Sequence, residues 1–122
     1  MTPTSERGSV SVVTAAVVLV LLVCTMGVAD VGRALAGRAR ARAAADAAAL
    51  AAAQELAFPS GDSPAAQAGL FAERNGSDLL SCVCEPGSFD AVVTVRYRLD
   101  GLLLVPGTFD LDVTARAIVE VP

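Results

Sequence analysis

Residues Ser9 to Ala29 read SVSVVTAAVVLVLLVCTMGVA, 21 residues without a charge. As a helix rising about 1.5 Å per residue, the stretch reaches about 32 Å. That crosses a hydrocarbon core roughly 30 Å thick once. No polar stripe interrupts its Val, Leu and Ala residues, so no face is marked for water. A soluble helix that is apolar all round must be buried in a large protein, and a chain of 122 residues is too small to bury it. The stretch therefore predicts a membrane helix, retained or cleaved.

Working outward, the preceding MTPTSERG is short and polar. Three readings of the junction stay open. One is a retained anchor. The second is a signal peptide cut between Ala29 and Asp30, with small residues Gly27 and Ala29 before the cut; against it, the apolar run exceeds the usual signal core. The third is a prepilin-like leader processed between Gly8 and Ser9. A lipoprotein site at Cys24 is disfavoured, because Val23 stands where a small residue is wanted.

Beyond Ala29 the helical pattern continues through ADVGRALAGRARARAAADAAALAAAQELA, which has no proline and only the isolated Gly32 and Gly37. Each glycine costs about 1 kcal/mol against alanine, which the alanine excess absorbs. One helix is expected from about Val10 to Ala57, roughly 70 Å long. Arg42 and Asp46 form an i, i+4 pair. Ala43, Ala47 and Ala51, and beside them Ala44, Ala48 and Ala52, repeat every four residues. Such ladders either let another backbone approach closely or are simply good helix formers. Arg33, Arg38, Arg40 and Arg42 follow the membrane exit and read as an interfacial anchor for anionic head groups.

Phe58-Pro59-Ser60-Gly61-Asp62 breaks the helix. Ser63 as N-cap and Pro64 at the first helical position start a short helix ending near Arg74, with Leu70 and Phe71 expected inward and Asn75-Gly76 as the stop. The period then changes to two. Phe89, Ala91, Val93, Val95, Tyr97 and Leu99 alternate with polar or smaller residues, and the odd positions from Phe109 to Val121 repeat the pattern. A shorter strand is expected over Leu79 to Cys84. Asp100-Gly101 and Pro106-Gly107 are turn dipeptides bounding the apolar Leu102-Leu103-Leu104-Val105.

The fold class is thus α+β: a long N-terminal helix, a short helix and a small antiparallel sheet packed on the helix's C-terminal half. The organisation reads as a leader over 1–8, a transmembrane helix over 9–29, an alanine-rich helical stalk over 30–57, and the short helix and sheet over 58–122.

Chemistry is sparse. The chain has no histidine, removing the commonest general base and metal ligand. No nucleophile triad, phosphate loop or paired acid site is present, so no catalytic residue, cofactor, metal or small-molecule substrate is expected. All nine basic residues are Arg and the net charge is −4, which offers no basic field to nucleic acid. Cys24 lies in the apolar run as a small filler. Cys82 and Cys84 share a strand face, and an extended strand is expected to keep them unbridged. Asn75-Gly76-Ser77 fits a glycosylation sequon, a common pattern of little specificity.

Several stretches are similar to a known family. Arg7-Gly8-Ser9 before a single span, Ala29-Asp30-Val31-Gly32-Arg33, and Ala44-Ala45-Asp46-Ala47-Ala48-Ala49-Leu50-Ala51 resemble the TadE/TadG-like proteins of Flp (Tad) pilus assembly. Arg74-Asn75-Gly76 with Leu80-Ser81-Cys82, and Thr114-Ala115-Arg116-Ala117, resemble short actinobacterial TadE-like proteins encoded near secretion genes. The resemblance implies a minor pilin or pseudopilin without catalysis. It would be anchored in the cytoplasmic membrane, its C-terminal part outside, with membrane lipid and other assembly proteins as partners of the helix. One departure is Val13, where many pilin-like leaders carry Glu five residues after the cut. Another is the arginine bias, one before the span and four after it, which by the positive-inside rule favours a cytoplasmic C-terminus. The resemblance implies the reverse orientation. The alternatives are a small secreted binding protein beginning at Asp30 and a single-pass regulatory protein with a cytosolic sheet domain.

Overall fold

The structure is a computed structural model that describes residues 4–122; the first three residues of the expected 1–8 leader lie outside the described residues. Helix α1 runs Thr4–Ala57 without interruption, starting before the expected Val10 and passing straight through the Gly8–Ser9 and Ala29–Asp30 peptide bonds. At 54 residues it is about 81 Å long. It ends as expected, and Glu55 organises the turn that follows. Its carboxylate accepts from the Ser60 amide at 2.7 Å and the Ser60 hydroxyl at 2.8 Å. These bonds, hydroxyl first, hold the Glu55 carboxyl below its ordinary range.

Helix α2 covers Pro64–Arg74, its Ser63 cap accepting from the Ala66 amide at 3.0 Å. Ala68 and Ala72, not Leu70, form its buried face; Leu70 is exposed and Phe71 half-buried. The expectation of an inward Leu70 fails: the face of α2 that meets the core is Ala68 and Ala72, packed in one cluster with alanines of α1.

Strands β1 (Asp78–Cys84), β2 (Asp90–Leu99) and β3 (Phe109–Ile118) form one antiparallel sheet in the order β1-β2-β3. The expected alternation holds on β2, where Ala91, Val93, Val95 and Leu99 are buried. The strand starts one residue later than expected because Phe89 takes a left-handed φ of 51°. β3 stops at Ile118, the partner of Asp90, the first residue of β2. Only the Val119 amide finds a further acceptor, the Phe89 carbonyl at 3.0 Å, so the alternation to Val121 outruns its partner strand.

The buried face of the sheet lies against the C-terminal half of α1 and against α2. Ala44, Ala45, Ala48, Ala49, Ala52 and Ala53 meet Val93, Val95 and Ala115 in the core. The alanine ladder over 44, 48 and 52 thus admits the chain's own sheet and short helix; Ala43 faces out.

One expectation is corrected outright. Cys82 and Cys84 form a disulfide, with their Cα atoms 5.5 Å apart. Two residues of a fully extended strand would be about 6.6 Å apart. Residues 82–84 keep regular register with β2, Cys82 opposite Val93 and Cys84 opposite Ala91, but their spacing is shorter than that of a fully extended strand and lies within the ordinary disulfide range.

Candidate functional site

Two regions of the surface carry more than packing, and α1 connects them. The first is a collar where the apolar run ends. Asp30 is the first charge after that run, and its carboxylate is buried against the β2–β3 loop, 100–108. Oδ1 accepts from the Leu103 amide at 2.6 Å and Oδ2 from the Leu104 amide at 2.8 Å. These two bonds, with the nearby Arg33 charge, hold the Asp30 carboxyl below its ordinary range. Arg33, one turn on, donates through Nη1 to the Gly101 carbonyl. The loop is therefore gripped from both chemical sides, its amides by an anion and its carbonyl by a cation. Gly27 completes the fit: a Cβ there would stand 3.7 Å from Leu104 Cδ1, so the leucine lies against the helix backbone. Leu103, Leu104 and Val105 remain 52, 45 and 47% exposed.

Of the arginines expected at the interface, Arg42 does more than face solvent. It pairs with Asp46 at 3.3 Å, as expected, and donates to the Thr114 carbonyl at 3.2 Å, tying β3 to the helix. Arg38 and Arg40 are exposed. Of the two expected processing positions, Gly8–Ser9 lies on an exposed helical stretch, whereas Ala29–Asp30 lies in the collar. Sequence reasoning missed the Asp30 grip. The available signal was a lone carboxylate directly after an apolar run, together with an apolar hairpin loop between two turn dipeptides.

The second region is a groove of about 660 Å³ at the far end, where α1, α2 and the end of β3 meet. Leu50, Phe58 and Ile118 stand on its walls and are 50, 66 and 59% exposed. Among the described residues, no three His, Cys, Asp or Glu side chains converge as metal ligands would.

The stretch Gly8–Ala57 is long and apolar enough to cross a membrane. Its most apolar 18-residue window has a mean hydropathy of 2.7, and none of that window is buried within the fold. The family described as "Putative Flp pilus-assembly TadE/G-like" matches residues 8–55. No curated protein and no solved structure matches the chain. The family match and the continuous helix cover nearly the same residues, the match ending within the last turn of α1.

Proposed function

We propose, from the Flp pilus-assembly TadE/G-like match over residues 8–55, that this chain is a membrane-anchored structural component of Tad pilus assembly or a related secretion system, pseudopilin-like and without catalytic chemistry. The observation that carries the reading is the pairing of that match with one unbroken helix. None of its most apolar 18-residue window is buried by its own fold, while its C-terminal half is clothed by α2 and the sheet. The exposed valines and leucines of the N-terminal half (Val10 to Val23) are surface for lipid and for helices of other assembly proteins. The C-terminal part stands outside the cytoplasmic membrane. The Cys82–Cys84 disulfide supports that orientation, because disulfides persist in oxidising compartments, and it weighs against the opposite arginine bias. Arg38 and Arg40 then face the outer head groups.

The test is the intact mass of the native protein recovered from cell fractions, combined with photo-crosslinking from Val18. A full-length or Ser9-initiated mass in the membrane fraction, with crosslinks to other pilus or secretion membrane proteins, is expected. A soluble species beginning at Asp30 would identify a secreted binding protein and overturn the anchor. Recovery in the membrane with crosslinks to lipid alone would remove the assembly role.

A further inference from the structure

We propose that the β2–β3 loop is a second membrane contact: Leu103, Leu104 and Val105 seat in the outer boundary of the bilayer beside the helix exit. This rests on the reading of residues 9–29 as a span, and it adds a lipid-facing site contributed by the other end of the chain.

Three observations carry it. The first is depth. Leu104 Cδ1 lies 3.7 Å from where a Gly27 Cβ would be, and Gly27 is inside the uncharged run that ends at Ala29. A loop resting on Gly27 is level with the last turn of the span, so the leucine cannot stay in bulk water while that turn is in the bilayer.

The second is composition. A hairpin connection exposed to water is ordinarily built from polar and turn-forming residues. Here Leu103, Leu104 and Val105 are all about half exposed, and Met26, Val28 and Val31 are exposed on the same section of the helix. Together they make an apolar collar of the kind that marks a contact with protein or membrane.

The third is backbone satisfaction. Irregular backbone enters the apolar region only when its polar groups are paired within the protein. The Leu103 and Leu104 amides are paired with Asp30 and the Gly101 carbonyl with Arg33. The grip pairs two amides and one carbonyl and so lowers the polar cost of bringing the loop out of water, while Leu103 and Leu104 stay about half exposed. Among the occupants that an apolar collar can take, lipid is favoured because the collar is continuous with the span.

The test uses the full chain with Cys24→Ser, its Cys82–Cys84 disulfide kept oxidised, reconstituted in phosphatidylcholine–phosphatidylglycerol bilayers. Single cysteines at Leu103→Cys, Val18→Cys and Ile118→Cys carry a nitroxide, and collision with oxygen is compared with collision with a water-soluble nickel chelate. The Leu103 label is expected to lose collisions with the chelate relative to the Ile118 label and to favour oxygen, as the Val18 label does. Chelate access at Leu103 equal to that at Ile118, with Val18 shielded, overturns the loop contact and leaves the span standing. Chelate access at Val18 overturns the span and the loop contact together.

Discussion

Gly37 and Leu99 make the tightest approach between helix and sheet at a glycine. A Cβ built on Gly37 would stand 3.0 Å from Leu99 Cδ1 and 3.3 Å from Tyr97 Cε1. Gly32, five residues earlier, has nothing within 4 Å of its own added Cβ. The two glycines look alike in the sequence and should answer differently to substitution. Gly32→Ala is expected to raise stability by up to about 1 kcal/mol, the helix-propensity gain. Gly37→Ala should fall short of that gain because Leu99 must give way, and Gly37→Val should lower stability by roughly 1–3 kcal/mol, the range for overpacking. Thermal unfolding of the full chain in detergent, followed by circular dichroism, measures all three; equal responses at positions 32 and 37 would contradict the packing described.

The alanine ladder allows the same kind of comparison. Ala48 is fully buried where sheet and helix meet, whereas Ala43 points outward. Ala48→Leu should cost about 1–3 kcal/mol by overpacking, and Ala43→Leu should stay within about 0.5 kcal/mol of the parent. Denaturant midpoints decide the matter. Equal costs would mean that the ladder is not the seat of the sheet.

These contrasts show where sequence reading succeeds and where it stops. The period of two along Ala91, Val93 and Val95 names the buried face of β2 because each residue's direction follows from backbone geometry alone. The Ser63-Pro64 start of α2 is similarly local. What α1 packs against is not local: Ala44, Ala48 and Ala52 read equally well as a partner face or as mere helix formers, and only the docked sheet decides. Asp30 is harder still. Its partners lie 73 and 74 residues away and are backbone amides, which carry no residue-type signature. The Cys82–Cys84 bond depends on a Cα spacing of 5.5 Å, shorter than a fully extended strand gives, and no residue pattern announces that contraction. The collar at Asp30 is therefore visible in the sequence only as ingredients, a lone acid and an apolar loop, until topology brings them together.

The Asp30 grip has a direct readout in exchange. The Leu103 and Leu104 amides sit in an exposed loop outside the ladder, so their protection comes from the Asp30 carboxylate. Asp30→Ala should release both amides to fast hydrogen exchange while leaving the β2 amides protected. Unchanged protection at positions 103 and 104 would show that another acceptor holds them.

The disulfide makes two predictions. Without reductant, alkylation under denaturing conditions should modify Cys24 alone; after reduction it should modify Cys24, Cys82 and Cys84. Closing so short a ring restrains the unfolded chain little. With three residues in the loop, the chain-entropy relation gives roughly 1.6 kcal/mol, below the usual range for a disulfide. Reduction should therefore lower the unfolding temperature modestly and leave the sheet folded. Loss of the β signal on reduction would assign the bond a larger structural role.

The outer face of the sheet sets the response to acid. Arg96 holds Asp112 through Nε to Oδ1 at 2.8 Å and Nη2 to Oδ2 at 3.1 Å, and Arg116 holds Asp90 through Nη2 to Oδ2 at 2.6 Å. Hydrogen bonding to the guanidinium is the first cause, and its charge a lesser one, that sets both carboxyls below their ordinary range. A carboxyl whose folded value lies below its unfolded value binds its proton more readily in the unfolded chain. Its contribution is complete above the unfolded value and is lost as the pH falls through the folded one. Stability should therefore be level near neutrality and decline as the pH drops below about 4, the unfolded aspartate value. Asp112→Asn isolates one pair. It should be less stable than the parent at neutral pH, and the gap should close in acid, where the parent's own Asp112 becomes neutral. Urea midpoints taken across that range test this. A gap that stayed constant with pH would mean that the Arg96–Asp112 pair contributes by shape and not by charge.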